Sequence, residues 1–351
     1  MLDSIRLQYF RSYADASFEF GEGVNIIVGP NASGKTNLLE AILLAARGAS
    51  YRARDAELIR FAAPWARIDA NTANSTRIVK IERLGMGAKK TFETGGQPFQ
   101  RLSLQKTLPV VLFEPDHLQV LTGSPDLRRA FLDDLIEQTV PGYATTRRAY
   151  RRVLAQRNAL LKKGYATAAP QIFVWNLRLS ELGGKIASER TRLVEAINER
   201  ATETYQGLSN TDANVAVAYY SAAPASQYET QLLHHLENGL ERDCLLGFTG
   251  YGPHRDDLRI TLNDQPAEET ASRGETRSLI LMLKVIELEL LGAARGAAPL
   301  LLLDDVFSEL DGKRRHALTA HLQDYQTFIT TTDADIVTKN FTVASHIIAL
   351  G

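Results

Sequence analysis

From Val24 to Val28 the chain is apolar and β-branched, as a buried strand is, and from Leu38 the apolar residues Leu39, Ile42 and Ala46 recur at helical spacing until Gly48. A strand, a glycine-bearing turn and a helix are predicted in that order. Upstream, Ile5, Leu7 and Tyr9 alternate with polar positions, as do Phe18 and Phe20, which predicts antiparallel strands within residues 1–28. Short runs such as 76–81, broken by Gly85, Gly87, Gly95 and Gly96, predict a small β meander over 67–99, and 109–113 reads as another buried strand. After Pro125 the period changes. Tyr150, Val153, Leu154, Leu160 and Leu161 share one helical stripe, and Trp175, Leu179, Leu182, Ile186, Leu193 and Ile197 a longer one, with a loop expected at 164–170. Strand-like runs resume at 215–220 and 258–262, Leu279, Leu283, Ile286 and Leu290 predict a further helix, and 300–303 is an apolar strand ending in Asp304 and Asp305. The expected organisation is an α/β lobe made of residues 1–125 and 208–351, with a helical lobe, 126–207, inserted into it.

The turn after the first buried strand carries chemistry. Gly29, Pro30, Asn31, Ala32, Ser33, Gly34, Lys35 and Thr36 have the phosphate-loop spacing, a glycine, four residues and then Gly-Lys-Thr, in the required setting between strand and helix. Glycines there let successive N–H groups converge on a β-phosphate, and the helix N-terminus adds partial positive charge. Lys35 is expected at the β and γ phosphates and the Thr36 hydroxyl on Mg²⁺. The strand that ends in Asp304-Asp305 has the Walker B form: Asp304 would complete the Mg²⁺ surroundings of Thr36, and Asp305 would orient or deprotonate the attacking water. Between the two lies Ser272-Arg273-Gly274-Glu275. It reads as a capping box, and also as a signature loop presenting Ser272, Gly274 and a helix N-terminus to a nucleotide held by another copy of the chain. The order of the motifs favours adding the second reading to the first, with Ser308, Glu309, Leu310 and Asp311 following where a D-loop belongs. One loop and one signature per chain require two chains meeting head to tail with two-fold symmetry.

Forty basic and 41 acidic side chains leave a net charge of −1, so any nucleic-acid contact has to come from a local patch. Arg147, Arg148, Arg151 and Arg152 form that patch on one side of a helix whose other side carries Tyr150, Val153 and Leu154. They read as a DNA-contacting face or simply a solvated one. The single cysteine, Cys244, excludes an intrachain disulfide framework and a cysteine-based zinc site. Charges near Met1 and the lack of any long apolar run predict a cytoplasmic protein.

Motifs spread from end to end give the chain a specific resemblance: Phe10-Arg11-Ser12-Tyr13, Gly29 to Asn37, Arg128-Arg129 with Phe131-Leu132-Asp133, Tyr251 to Asp257, Ser272 to Glu275, Leu302 to Val306, and Thr330 to Asp333. It resembles the RecF family of SMC/Rad50-like ABC ATPases. The signature begins only 236 positions after the loop (36 to 272), too few for long coiled-coil arms. The resemblance implies an α/β fold, an ABC-type P-loop ATPase head with an inserted helical lobe. It implies ATP and Mg²⁺ as cofactors, with Arg11 and Asn37 joining the phosphate loop in nucleotide binding. It further implies a weak DNA-dependent ATPase that forms a homodimer with ATP on duplex or gapped DNA, and works with RecO and RecR to load RecA in repair and the SOS response.

Three departures from the ABC pattern bear on turnover: Glu275 replaces the signature glutamine, Asp305 is one methylene shorter than the usual glutamate, and Thr332 stands where many relatives have a switch histidine. Two other readings are an ATPase subunit of a transporter, which would fractionate with membranes, and an OLD-type nuclease, which would cleave DNA in a chelator-sensitive way. The Gly252 to Asp257 run admits a phosphate contact by His254 and Arg255, or a structural turn with Arg255 paired to Asp256 or Asp257.

Overall fold

A computed structural model describes residues 1–73, 75–333 and 345–351. The expected N-terminal strands form and continue into the meander: β1 (Ser4–Phe10), β2 (Tyr13–Glu19), β4 (Trp65–Thr72), β5 (Ser75–Leu84), β6 (Gly87–Thr94) and β7 (Gln97–Phe99) make one antiparallel sheet in the order β2-β1-β4-β5-β6-β7. A second sheet is parallel and contains the chemistry. It orders β14 (His346–Ala349), β3 (Val24–Val28), β13 (Thr327–Thr331), β12 (Leu300–Asp304) and β8 (Val110–Phe113), so β13 separates the loop strand from the aspartate strand. Every residue of β12 and β13 is buried, as strands covered on both faces must be. The helix Lys35–Arg47 buries Leu38, Leu39, Ile42 and Leu43 in a core with Ile5, Leu7, Ile27, Leu302 and Phe328. Gln326, just before β13, ties the start of the chain to this sheet: its Oε1 accepts from Leu2 N at 2.7 Å, and its Nε2 donates to the Leu2 and Gly21 carbonyls at 2.7 and 2.9 Å.

The chain divides into two units, 1–117 with 287–351, and 118–286. The second therefore takes in residues 208–286, which the sequence reading placed with the α/β lobe. The physical reason is that β9 (Val215–Tyr220) pairs antiparallel with β10 (Asp257–Leu262), with β11 (Gln265–Pro266) beyond, in a separate three-stranded sheet. That sheet is bonded to the long helix Phe173–Ser209: Asn198 Oδ1 accepts from Val217 N at 2.7 Å, and Thr202 Oγ1 donates to the Val215 carbonyl at 2.9 Å. The helix predicted on Tyr150 to Leu161 is present as Tyr143–Leu161, preceded by Pro125–Thr139 where the period changes, and their core joins Ile136, Tyr143, Tyr150, Leu179, Leu182 and Ile186 to Tyr228 and Leu232. Of two helices not anticipated, Tyr228–Asn238 supplies the last of these and Leu240–Leu246 places Leu240 in a separate cluster with Leu160 and Leu161, and the expected loop at 164–170 contains a helical turn, Tyr165–Ala168.

Candidate functional site

β3 delivers the chain to Gly29, and the helix Lys35–Arg47 leads away from it. Gly34 has φ +102, and a Cβ there would lie 2.8 Å from Tyr13 Oη, which donates to the Gly34 carbonyl at 3.1 Å. A Cβ at Gly29 would fall 2.6 Å from both the Leu350 carbonyl oxygen and Ser33 Oγ, so the loop closes too tightly for any larger residue. Pro30, Asn31 and Ala32 are exposed along its crest, with Ala32 at φ 67. Ser33 Oγ is buried without a hydrogen-bond partner. Lys35 Nζ donates to the Gly29 and Pro30 carbonyls at 2.6 and 2.8 Å, which leaves one of its three donors unused. Asn37 Nδ2 donates to Ser12 Oγ at 3.0 Å, so the turn between β1 and β2 braces the start of the helix.

Asp304, at the end of β12, is 8% exposed, and the Thr36 hydroxyl donates to its Oδ1 at 3.0 Å. The two metal candidates, 268 residues apart in sequence, are therefore brought together as the spacing implied. The same Oδ1 accepts from Thr330 Oγ1 at 2.7 Å, and Tyr51 Oη donates to Oδ2 at 3.4 Å. Burial, and then the charge of Asp304, push the Tyr51 phenol upward, so it stays a neutral donor. Asp305 is exposed and takes a left-handed backbone, φ 54 and ψ 22, which turns the chain out of the strand. Its N–H donates to Thr330 Oγ1 at 2.9 Å and its carbonyl accepts from Ser308 Oγ at 2.6 Å. Thr330, Tyr51, Glu40 and Ser50 did not emerge from the sequence as site residues.

Arg11 lies next to this site but with a partner of its own. Its Nε and Nη2 donate to the two oxygens of Glu40, fully buried in the loop helix, at 2.8 and 3.0 Å, and Nη1 donates to the Glu57 carbonyl at 3.3 Å. Ser50 Oγ donates to the same Glu40 at 2.5 Å. Three of the five guanidinium N–H groups are thus committed, and any contact with a nucleotide must come from the other two.

The second unit holds the remaining candidates. Ser272 and Glu275 form a reciprocal cap at the start of the helix Arg273–Arg295: Ser272 N and Oγ donate to Glu275 Oε2 at 2.8 and 2.7 Å, and Glu275 N donates back to Ser272 Oγ at 3.3 Å. Gly274 sits in the first turn. The Glu275 carboxylate therefore engages Ser272 itself. Of the four arginines in the basic patch, Arg148, Arg151 and Arg152 are exposed. Arg147 turns the other way, its Nη1 2.7 Å from Glu137 and its Nε 2.8 Å from Asp133 Oδ2, though not aligned for a hydrogen bond. The patch loses one member for that reason.

The Gly252 to Asp257 run is a polar hub around the buried Asp256, with Arg255 exposed. His254 Nε2 faces the Thr249 carbonyl at 3.1 Å and Nδ1 lies 2.7 Å from Tyr150 Oη, an arrangement suited to a neutral ring protonated on Nε2; burial lowers its pKa to about 4. Asp256 Oδ2 accepts from Tyr219 and Tyr228, each at 2.6 Å, and burial raises its carboxyl. Asp257 pairs through both oxygens with Arg128, at 2.8 Å each. Arg255 pairs with neither aspartate. It lies over the Phe248 ring, 4.9 Å from the centroid.

The loop and aspartate residues fit a nucleoside triphosphate with a divalent ion. Ser33 Oγ is an orphaned buried donor in a loop whose two glycines admit no Cβ, and Lys35 retains one donor beside its two carbonyl ties. Thr36 and Asp304 offer hard oxygen donors, and no group of three or more His, Cys, Asp or Glu among the described residues forms a separate metal cage. Thr36 and Asp304 would hold a Mg²⁺, an ion that favours such hard oxygen donors.

The RecF/RecN/SMC N terminal domain family matches residues 1–348. The chain is 36% identical over 348 residues to the DNA replication and repair protein RecF of Halalkalibacterium halodurans, covering 95% of this chain and 93% of that one. The chain belongs to the RecF family. RecF of Heliobacterium modesticaldum is likewise 36% identical, over 94% and 92% of the two chains. Among solved structures, that of the recombination mediator protein RecF-ATPrS in the RecFOR pathway superposes with a TM-score of 0.88 at 28% identity, over 99% of this chain and 96% of that one. An SMC head bound to the C-winged helix domain of ScpA shares the fold, with a TM-score of 0.55 at 17% identity over 99% and 93% of the chains. The fold is thus the RecF and SMC-head form of the ABC-type ATPase. These relatives favour neither the transporter nor the nuclease reading. Among the described residues no helix is long and apolar enough to cross a membrane.

Proposed function

We propose that this chain is an ATP-binding recombination mediator of DNA replication and repair, whose ATPase governs the association of two copies on DNA. The observation that carries the reading is the 3.0 Å bond between Thr36 and Asp304 below a phosphate loop whose glycines admit no side chain. The RecF proteins it resembles, one of them solved as RecF-ATP in the RecFOR pathway, support it.

In this reading Gly29 to Asn37 hold the phosphates, Lys35 balances their charge, and Arg11 supports nucleotide binding by securing the loop helix through Glu40. Thr36 and Asp304 would hold a Mg²⁺, whose charge would polarise the γ-phosphate. Asp305 handles the attacking water. Ser272 and Gly274 of one copy cap the nucleotide of the other, so residues 208–286 serve the ATPase lobe functionally while packing with the helices. Turnover is slow: the short Asp305 side chain must reach for its water, and Ser272 must exchange its Glu275 partner for phosphate. The partners are duplex or gapped DNA, held in part by Arg148, Arg151 and Arg152, together with RecO, RecR and RecA, in the cytoplasm. Sedimentation with and without ATP and a short duplex tests this. The wild type should dimerise only with ATP, Lys35→Met should neither bind ATP nor dimerise, and Ser272→Arg should bind ATP and stay monomeric. ATP-independent dimers, or normal dimers of Ser272→Arg, would refute it.

A further inference from the structure

The parallel sheet inserts β13 between the phosphate-loop strand and the aspartate strand, and one side chain of β13 touches both acidic residues. Thr330 is opposite Asp304 in the β12 and β13 register, and it is 1% exposed. Its hydroxyl proton points to Asp304 Oδ1 at 2.7 Å, and its lone pair takes the Asp305 N–H at 2.9 Å. A hydroxyl has one proton and two acceptor sites, so both bonds can be made together, and in only one sense. Asp304 Oδ1 then carries two hydroxyl donors, Thr36 and Thr330, and Oδ2 faces Tyr51 Oη at 3.4 Å, so the orientation of the carboxylate beside Thr36 is fixed from both oxygens. On the other side, the bond from Asp305 N–H lies where the backbone leaves the strand for φ 54. That turn decides the direction in which the Asp305 side chain is presented.

We infer that Thr330 is a positioning residue that sets the Asp304 carboxylate toward the metal and the Asp305 side chain toward the attacking water at once. The inference rests on the roles proposed above for those two aspartates. Valine has the shape of threonine without the hydroxyl, so Thr330→Val removes both bonds with little change in packing, whereas Thr330→Ser keeps them and loses only a methyl group. Partners that orient a metal ligand typically alter metal affinity or activity by about 10–100-fold when removed.

The test titrates Mg²⁺ into wild type, Thr330→Val and Thr330→Ser, reading binding of a fluorescent ADP analogue as well as steady-state hydrolysis. Thr330→Val should bind the analogue equally well in EDTA, need roughly tenfold more Mg²⁺ to reach the tighter metal-bound state, and lose at least about tenfold in kcat with KM little changed. Thr330→Ser should restore both to within about twofold. Unchanged Mg²⁺ midpoint and kcat in Thr330→Val would overturn the inference, as would equal loss of analogue binding in EDTA. If the valine variant does not fold, the serine variant decides: a wild-type Mg²⁺ midpoint and kcat support the hydroxyl, and a shift like that of Asp304→Asn refutes it. Asp304→Asn also separates the two levels. A wild-type Mg²⁺ midpoint in that variant removes the metal role of Asp304 itself, whatever Thr330 does.

Discussion

Arg11→Met should destabilise the protein far more than it weakens nucleotide binding. Glu40 is fully buried on the loop helix, and its carboxylate is held by two Arg11 donors at 2.8 and 3.0 Å and by Ser50 at 2.5 Å. Removing one member of a buried ion pair costs about 3–5 kcal/mol, because the other charge stays buried without compensation. Arg11 keeps 23% of its side chain exposed and Ser50 remains, so a fair expectation is about 2–3 kcal/mol. At roughly 2–4 °C per kcal/mol for a unit of this size, the unfolding midpoint should fall by about 5–10 °C. Glu40→Leu should cost less, because Arg11 can swing into water. The double variant should cost about 1–3 kcal/mol less than the two single losses added together. Thermal and denaturant unfolding give these numbers, and ATP affinity measured well below the midpoint should change by less than about threefold. A tenfold loss of ATP affinity in Arg11→Met, with its unfolding midpoint unchanged, would refute this account and make Arg11 a nucleotide ligand first.

Gly34→Ala should reduce affinity for a fluorescent ATP analogue by at least about tenfold, because φ +102 costs an alanine about 1–3 kcal/mol and its Cβ would meet Tyr13 Oη at 2.8 Å; wild-type affinity would contradict the loop geometry. His254 stays neutral in the folded chain down to about pH 4 while the unfolded chain protonates it near 6.5, so its contribution is complete above pH 6.5 and lost toward pH 4, up to about 3 kcal/mol. Asp256, with its carboxyl raised by burial, works in the opposite sense, so the comparison is with His254→Gln, whose unfolding midpoint should fall less between pH 7 and pH 4.5 than that of the wild type. Arg148→Glu with Arg152→Glu should lower the slope of log affinity for duplex DNA against log salt by about 1.8, while Arg147→Glu should act chiefly on thermal stability through Asp133 and Glu137. Equal effects of all three on the salt slope would mean that Arg147 leaves its carboxylates for DNA.

The phosphate loop was legible because its chemistry is local: a few consecutive residues must have those conformations and donors whatever the rest of the chain does. Asp304 was legible because a strand buried on both faces has to end where charge begins. Thr330 was not, since its importance lies in the register of β12 against β13, and the run Thr327–Thr331 names no partner. Arg147 looked like its exposed neighbours because periodicity places it on a helix face without showing Asp133 and Glu137 on the preceding helix. The alternation of Val215–Tyr220 announced a strand but not that it would pair with Asp257–Leu262 in a separate sheet. By contrast, Tyr228, Leu232 and Leu236 recur every four residues, and the helix they form was there to be read.

The parallel sheet also fixes when this protein can begin to work during synthesis. Val24 pairs with Thr327, so β3 waits for a neighbour 303 positions later (24 to 327), roughly 15–60 s at about 5–20 residues per second. Residues 118–286 are continuous and can condense during that interval, but the apolar edge of β3 has to be shielded by a chaperone or by β1 and β2 in some interim arrangement. A nascent chain halted before residue 327 contains every residue of the phosphate loop and still lacks the strand that joins it to Asp304. Ribosome-bound intermediates should therefore ignore ATP until the chain has been made past residue 327, and a quality-control protease would meet a chain that carries the motif without the site.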